Sequence, residues 1–273
     1  MALVSLKNVG FEYPGGFKAV ESVSIDIERG ENVAILGQNG AGKTTTVKLC
    51  NRLLCPTEGD VFVSGKNTRH YTTAQISRIV GYVFQNPDDQ IFHSSIESEV
   101  EFGPRMMKLS EEEIRERVND ALTISGLVRE REENPYNLPL SVRKFITIAS
   151  IIAMNTDVII LDEPTAGQDL AGNGRLQNII STLLERGKTM ITISHDMEFV
   201  AENFSRVIVM AERRVVIDGK PEDVFWDFKA LEKARLMQPH VSRICRRLGI
   251  ADHLIRLDDA VKAIMKHAAW PKK

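Results

Sequence analysis

The sequence predicts an α/β fold with a mainly parallel sheet, an antiparallel edge layer and a helical insertion. Near-continuous apolar runs such as DVIILDE are typical of strands that are buried on both faces of a parallel sheet. Alternating runs near the start, such as SVSIDIERG, are typical of half-buried antiparallel strands. Amphipathic helical patterns lie between these runs, and the combination predicts a layered α/β domain.

Strand patterns dominate the first 85 residues. LVSLKNVGFEY and SVSIDIERG alternate apolar and polar residues, and NVAILG is a compact apolar run. GDVFVSG and VGYVFQ are further strand patterns. The segment that follows NVAILG, GKTTTVKLCNRLL, predicts a helix that begins at its glycine.

Helical patterns dominate residues from about 88 to 155, which we predict to be a helical subdomain. Residues 110–126 form an amphipathic pattern in which Ser110 is a candidate N-cap and Gly126 a candidate helix end. Residues 142–154 carry a second and more apolar helix.

The remainder of the chain returns to alternating strands and helices. DVIILDE, TMITISH and RVIVMAERRVVIDG are strand patterns, and GRLQNIISTLLERG predicts a helix. From about residue 222 onward the sequence is helical and charged, without further strand patterns. We therefore predict one domain over residues 1–225 and a small helical C-terminal extension over 226–273.

Composition excludes several classes of protein. The 273 residues are 43% hydrophobic and 26% charged, which is typical of a soluble globular protein, and the net charge of −2 lacks the basic footprint of a nucleic-acid binder. Cys50, Cys55 and Cys245 have no metal-ligand spacing and predict reduced thiols in a cytosolic protein. No signal peptide is expected, and no apolar run approaches the roughly 20 residues of a membrane span.

A glycine-rich loop follows the strand NVAILG and fits the pattern G-x-x-x-x-G-K-[ST] without a mismatch. The loop and its first helical residues are Gly37, Gln38, Asn39, Gly40, Ala41, Gly42, Lys43, Thr44 and Thr45. Because glycines let backbone amides turn toward phosphate oxygens at a helix N-terminus, this segment predicts a nucleotide site. We expect Lys43 to contact the β- and γ-phosphates and Thr44 to bind Mg²⁺.

Two adjacent carboxylates, Asp162 and Glu163, end the buried strand DVIILDE. A carboxylate at the C-terminal edge of a sheet, beside a phosphate loop, is well placed to hold Mg²⁺ through water. We expect Asp162 to do so and Glu163 to polarise the attacking water. The alternative is a solvated acidic turn before Pro164.

With the phosphate loop, the acidic pair and a later TISHD in this order, the chain resembles the ATPase subunits of ABC transporters over residues 3 to about 225. The resemblance implies that ATP and Mg²⁺ are the cofactors. It also implies that Gln85, in VFQNPDDQ, contacts Mg²⁺ and the water, and that His195 contacts the γ-phosphate. Taken alone, a glutamine and a histidine in such places are usually surface or capping residues, and it is their order and spacing that favour the functional roles.

Two further positions match the resembled family. Asp169, in AGQD, corresponds to a loop residue at the dimer interface, although Gln168 stands where leucine is usual. Tyr13 is placed like the aromatic residue that stacks on adenine, with a simple cover for the edge sheet as the alternative.

Several segments narrow the resemblance to one group. FQNPDDQIF, VEFGP, LDEPTAGQD and the tail ALEKARLMQPHVSRICRRLGI are similar to the ATPases of energy-coupling factor (ECF) importers. That resemblance implies a peripheral protein on the cytoplasmic face of the cell membrane, commonly paired with an unequal ATPase. Its other implied partners are a transmembrane scaffold subunit and a small membrane protein that binds a vitamin or a metal ion.

One stretch departs from the resembled family. Counting back from Asp162 without a gap places five residues where the family has the signature L-S-G-G-Q, namely Leu138, Pro139, Leu140, Ser141 and Val142. The family's signature presents a hydroxyl and backbone amides to the γ-phosphate bound on the other subunit of a head-to-tail dimer. Pro139 has no amide, and Leu140 adds a side chain where the backbone must come close. A two-residue gap that matches Leu140 and Ser141 instead also lacks both glycines, so the resemblance predicts pairing with a non-identical ATPase.

Two other functions are alternatives to that of an importer ATPase. Soluble ABC-type ATPases that act on DNA or ribosomes usually carry long coiled-coil insertions or two fused cassettes, and this sequence has neither. A phosphate-loop kinase or GTPase is disfavoured by the series Gln85, Asp162, Glu163 and His195. The near-neutral charge also predicts no nucleic-acid partner.

Overall fold

Two β-sheets organise the computed structural model, which describes residues 2–250 and 253–267. The strands in this part of the chain are β1 (Val4–Tyr13), β2 (Phe17–Ile27), β3 (Asn32–Leu36), β4 (Glu58–Val63), β5 (Lys66–Asn67), β6 (Val80–Val83), β7 (Val158–Asp162), β8 (Thr189–Ile193), β9 (Arg206–Ala211) and β10 (Arg214–Gly219). The smaller sheet is antiparallel, with the order β2-β1-β4-β5. The larger sheet has the order β10-β9-β3-β8-β7-β6 and is parallel except for the β9–β10 pair. The predicted fold class is confirmed.

Helices surround these sheets. Their bounds are α1 (Lys43–Cys50), α2 (Thr73–Ile76), α3 (Ile96–Met106), α4 (Glu111–Ser125), α5 (Leu140–Met154), α6 (Leu170–Glu185), α7 (Met197–Asn203), α8 (Pro221–Trp226), α9 (Phe228–Lys233), α10 (His240–Arg247) and α11 (Leu257–His267). Within the two described ranges, no helix combines the length and the apolar character that a membrane crossing needs.

The prediction for α4 is confirmed at both ends. The Ser110 side chain accepts a hydrogen bond from the Glu113 amide, and the Glu113 side chain accepts one from the Ser110 amide, which completes a capping box. Gly126 ends the helix with a φ of 66°, a left-handed conformation that costs glycine little.

Three helices, α5, α1 and α6, differ in their bounds from the sequence-based prediction, and α6 spans Leu170–Glu185 rather than residues 174–187. Helix α5 begins at Leu140 rather than at residue 142, because the Pro139 carbonyl already accepts hydrogen bonds from the Val142 and Arg143 amides. Helix α1 ends at Cys50 rather than at residue 54, because Arg52 adopts a left-handed φ of 67°. The correction to α5 matters for function, because it places Leu140 and Ser141 inside the first turn of that helix.

The large sheet is buried on both faces, as the continuous apolar runs predict. Every residue of β3, β7 and β8 is buried. Along β7, Ile159 and Leu161 pack against the helical side, whereas Val158 and Ile160 pack against α1 and the antiparallel sheet. The sheet is therefore a rigid platform, and its strand ends hold the loops that follow them in fixed positions.

The helices after β10 contribute to two separate apolar clusters. Val224, Phe225 and Leu231 join the core cluster of the helical side, and Cys245, Ile250 and Ala260 form a cluster of their own. The division into residues 1–225 and 226–273 stays a prediction, since α8 and α9 share the core of the preceding domain.

Candidate nucleotide site

An open cavity of about 600 Å³ lies where the loops after β3, β7 and β8 meet. These three strands are parallel neighbours in the large sheet, so their carboxyl ends share one edge. The residues that line the cavity are Asn39, Gly40, Gly42, Lys43, Thr44, Thr45, Gln85, Glu163, Thr165, Ala166, His195 and Asp196. The structure thus brings the phosphate loop, Gln85, Glu163 and His195 together, although they are far apart in the sequence.

The phosphate loop depends on glycine at two positions. Gly37 and Gly42 have φ values of 153° and 99°. A Cβ atom at Gly37 would lie 2.3 Å from the Met210 carbonyl oxygen, and one at Gly42 would lie 2.5 Å from the Ala19 carbonyl oxygen. No side chain caps the start of α1 at Gly42. The first backbone amides of this helix therefore have no side-chain acceptor.

Lys43 crosses back over its own loop. Its Nζ atom donates to the Gly37 carbonyl oxygen at 2.8 Å and to the Gln38 carbonyl oxygen at 3.2 Å, and it lies 3.4 Å from Nε2 of His195. Burial lowers the pKa of the Lys43 ammonium, which the carboxylates of Glu163 and Asp162 partly counter. Two carbonyl oxygens thus hold the Lys43 ammonium in the lining of the cavity, where a bound phosphate could also accept a hydrogen bond from it.

The two carboxylates at the end of β7 have different surroundings. Both are buried, and the hydroxyl of Tyr82 donates to Oδ2 of Asp162 at 2.6 Å. Oε1 of Glu163 lies 3.0 Å from Nε2 of His195. Burial raises the pKa of the Glu163 carboxyl and lowers the pKa of the His195 imidazole. Both shifts disfavour the charged form of the group, so the Glu163 carboxylate is a stronger base than an exposed one and the uncharged imidazole of His195 is favoured.

The predicted Mg²⁺ ligands are oxygen donors of the kind this ion prefers. Oδ1 of Asp162 is buried and has no hydrogen-bond partner in the described part of the chain, so it is available to a bound cation or its water. Thr44 and Gln85 line the cavity itself. Among the described residues no group of three or more His, Cys, Asp or Glu side chains could hold a metal. Thr44, Gln85 and Asp162 thus supply oxygen donors that fit Mg²⁺.

Tyr13 lies beside the phosphate loop rather than in the lining of the cavity. Its hydroxyl is 3.2 Å from Oγ1 of Thr45, and its ring stacks on Phe17 with centroids 6.5 Å apart. The ring is 37% exposed, and Phe17 is 57% exposed. An exposed aromatic pair next to the loop is compatible with base stacking, and the role of Tyr13 stays a prediction.

The remaining predicted residues lie on another surface, at the start of α5. Pro139 and Leu140 are exposed and Ser141 is half-buried, and they are absent from the lining of the cavity described above. Asp169 caps α6 by accepting a hydrogen bond from the Gly172 amide at 2.7 Å. The neighbouring Gln168 donates from Nε2 to the Ser141 carbonyl oxygen at 3.0 Å, which joins the Asp169 loop to the start of α5.

Sequence reasoning missed Tyr82 and Lys144, and it missed three residues that line the cavity, namely Thr165, Ala166 and Asp196. Tyr82 holds Asp162, Thr165 lines the cavity, and Lys144 donates hydrogen bonds into the loop that follows β7. A lysine within the apolar pattern of residues 142–154 was a usable signal, because buried lysines need hydrogen-bond partners. For Tyr82 and Thr165 the sequence carried no comparable signal.

Comparisons with known proteins agree with this geometry. A sequence profile described as ABC transporter matches residues 20–166. The energy-coupling factor transporter ATP-binding protein EcfA of Methanocaldococcus jannaschii is 36% identical over 256 residues, which are 93% of this chain and 92% of EcfA. The structure of CbiO1 from Clostridium perfringens, part of the ABC transporter complex CbiONQ, is 32% identical with a TM-score of 0.78, over 91% of this chain and 99% of CbiO1. An ATP-binding cassette solved as a dimer with ADP and Pi after hydrolysis is 28% identical with a TM-score of 0.73, over 80% and 98% of the two chains.

Proposed function

The chain belongs to the ABC transporter family of ATPases, and from this membership we propose that it is the ATP-hydrolysing subunit of an ECF-type importer. The observation that carries the activity is the convergence of Lys43, Glu163 and His195 on one cavity. Two relatives support the type of transporter. EcfA is named as the ATP-binding protein of an energy-coupling factor transporter, and CbiO1 is part of an ABC transporter complex.

The phosphate loop and Lys43 bind the triphosphate. Arriving phosphates would accept hydrogen bonds from the first amides of α1 and from the Lys43 ammonium, which now rests on two carbonyl oxygens. Thr44, Gln85 and Asp162 would hold Mg²⁺, which when bound neutralises charge on the phosphates. Tyr13 would stack on the adenine.

Glu163 and His195 act on the attacking water and the γ-phosphate. Glu163 accepts the proton of the water, and burial raises its pKa, which strengthens it as a base. His195 is neutral because burial lowers its pKa, so its ring can donate one hydrogen bond without adding a second positive charge beside Lys43. The 3.0 Å contact between their side chains holds both in place before the nucleotide arrives.

The partner in the dimer is a second ATPase that differs from this chain. Pro139 offers no amide and Leu140 covers the backbone, so a homodimer would pair a complete phosphate loop with a defective signature in both sites. With an unlike partner that carries L-S-G-G-Q, the site built on Lys43 and Glu163 becomes complete. Asp169, Pro139, Leu140 and Ser141 form this chain's part of the dimer interface.

The membrane partners follow from the type of transporter. We place the chain on the cytoplasmic face of the cell membrane, as a peripheral subunit bound to a transmembrane scaffold and a substrate-binding membrane protein. The cargo is a vitamin or a metal ion, which the ATPase does not contact. Residues 1–225 supply the ATPase domain and residues 226–273 the helical extension.

Purification of the tagged chain from membranes of its host, in mild detergent, tests the proposal. Mass spectrometry should identify a multi-spanning scaffold, a small membrane protein and a second ATPase with an intact signature. The same preparation without detergent is the control and should lose the two membrane proteins. Recovery of ribosomes or nucleic acid, with no membrane protein in detergent, would contradict the proposal.

A further inference from the structure

Lys144 is a buried lysine at the start of α5 that none of the roles above explains. Only 5% of it is exposed, and its Nζ atom donates to the Glu163 carbonyl oxygen at 2.9 Å and to the Ala166 carbonyl oxygen at 2.6 Å. Both acceptors belong to the segment that carries the proposed base and lines the cavity. A buried ammonium requires such partners, so the side chain and the segment hold each other in place.

The backbone of Glu163 needs external support. Its φ is 51°, which is rare for a residue other than glycine, and Pro164 follows it and disfavours a helical conformation at the preceding residue. Such a conformation persists where the surrounding structure fixes it. The Glu163 amide donates a hydrogen bond to the Ile193 carbonyl oxygen at 3.0 Å. The Glu163 carbonyl accepts one from Lys144 at 2.9 Å and a longer one from the Ala166 amide at 3.3 Å, so Lys144 supplies the shorter of its two bonds.

A second contact joins the same two elements. Nε2 of Gln168 donates to the Ser141 carbonyl oxygen at 3.0 Å, three positions before Lys144 on α5. Residues 163–168 are thus tied to the first turns of α5 at two points. The tie lies within one chain, and it connects the proposed base to the degenerate signature.

We propose that Lys144 is a positioning residue for hydrolysis, which acts by fixing the backbone from which the Glu163 side chain reaches the attacking water. The inference rests on the proposed role of Glu163. Lys144 itself touches neither nucleotide nor water, and Gln168 reinforces its effect by holding the far end of the segment. Loss of the Lys144 bonds lets the backbone of Glu163 relax, so the carboxylate spends less time in the productive position.

The first test replaces Lys144 with methionine, which keeps the length of the side chain and removes its donors. In the assembled transporter, Lys144→Met should lower kcat by about tenfold or more while KM for MgATP stays within about twofold, because only the chemical step needs the positioned base. Lys144→Gln keeps an amide donor and should recover part of kcat. Unchanged kcat in Lys144→Met would overturn the proposal.

Lys188→Met is the matched control. Lys188 is also a partly buried lysine whose pKa is lowered by burial, and its Nζ atom donates to the carbonyl and side-chain oxygens of Asn155. It makes no hydrogen bond to residues 163–168 among the bonds of the described chain. Lys188→Met should leave kcat unchanged within about twofold, and an equal loss in both variants would mean that any buried lysine has this effect.

A double variant separates this inference from the proposed function. If Lys144 acts through Glu163, then Lys144→Met should change the residual kcat of Glu163→Gln by less than about twofold, although it has a large effect in the native background. A multiplied loss would overturn the inference. If Glu163→Gln alone left hydrolysis intact, the proposed function would fail instead, whatever Lys144→Met does.

Gln168→Met, on the half-buried loop, replaces Lys144→Met if that variant fails to fold. It should lower kcat by about threefold or more at unchanged KM. An unchanged kcat in Gln168→Met would contradict the proposal.

Discussion

The starts of α1 and α5 can be compared directly, because both helices begin without a capping side chain. Most other helix starts are capped by a side chain that accepts a hydrogen bond from a backbone amide, whereas α8 and α10 also begin without such a cap. The capped starts are those of α2, α3, α4, α6, α7 and α9, through Thr72, Ser95, Ser110, Asp169, Asp196 and Asp227. An uncapped helix start leaves its first amides for another acceptor. In the proposed function that acceptor would be the chain's own nucleotide for α1 and the nucleotide of the partner for α5.

The residues that precede each helix make the two starts unequal. Gly40 and Gly42 leave the amides of α1 uncovered, with φ values of 80° and 99° that suit glycine. At α5, Pro139 contributes no amide, and Leu140 adds an exposed side chain to the first turn. Two free helix starts of the same kind therefore differ in the phosphate contacts they can make, and the difference predicts two unlike sites in the dimer.

Glu163→Gln gives the largest expected effect. The amide cannot accept a proton from water, so ATP hydrolysis in the transporter should fall by about 10²–10⁴-fold while MgATP still binds. The measurements are steady-state turnover and the binding of a fluorescent ATP analogue to the same preparation.

Lys43→Ala is the companion variant, and it should weaken nucleotide binding itself. It removes a charge that faces the phosphates and that now rests on two carbonyl oxygens of the loop. Equal loss of nucleotide affinity in both variants would show that the roles assigned to Lys43 and Glu163 are wrong.

The asymmetry between the two sites should appear as a difference between two transporters. One carries Glu163→Gln in this chain, and the other carries the matching change in the second ATPase. The first should lose nearly all ATP-driven uptake, because it loses the site that pairs a complete phosphate loop with an intact signature. The second should lose distinctly less, and equal losses would contradict the division into unlike sites.

The isolated chain provides the next smaller effect. As a homodimer it should bind MgATP and hydrolyse it slowly, because each of its sites meets the degenerate start of α5. Replacing Pro139 with Ser, Leu140 with Gly and Ser141 with Gly should raise the turnover of the homodimer by about 10²-fold, since one preorganised donor to developing charge is worth that much. Fast turnover by the native homodimer, equal to that of the whole transporter, would refute the prediction.

The elements that the sequence predicted well are those with a local cause. The continuous apolar pattern of β7 and the capping box of α4 depend on neighbouring residues, and the phosphate loop is a contiguous motif. The start of α5 was placed two residues too late, because Leu140 directly follows a proline and Ser141 interrupts the apolar pattern that marks the rest of the helix. A helix can begin directly after a proline, whose carbonyl is a good first acceptor.

The contacts that hold the site could not be predicted, because they join distant segments. Tyr82 and Asp162 lie on adjacent strands that are 80 positions apart, and the alternation of a strand does not name its neighbour. Lys144 donates to the backbone oxygen of Glu163, which is 19 positions away in the sequence. Because every residue has a backbone oxygen, the residue type of the acceptor gives no sign of this bond. Tertiary structure therefore added the supports of the site, whereas the sequence already contained its reacting groups.

Removing the side-chain cap of a helix should give the smallest effect, a modest loss of stability. The same variants test whether the loop around Asp169 has a role beyond folding. Ser110→Ala in α4 and Asp169→Ala in α6 each remove a side chain that caps a helix, so each should lower the free energy of unfolding by about 1 kcal/mol in urea denaturation. Asp169→Asn should keep most of that stability, since asparagine caps a helix as well as aspartate does.

The turnover of the transporter should differ between the two alanine variants. Ser110 precedes α4 and lies outside the lining of the cavity, whereas Asp169 follows Gln168 on the loop tied to α5. Ser110→Ala should leave turnover unchanged and Asp169→Ala should lower it. If both lowered turnover in proportion to their loss of stability, the loop around Asp169 would have no role beyond folding, and the assignment of Asp169 to the dimer interface would be wrong.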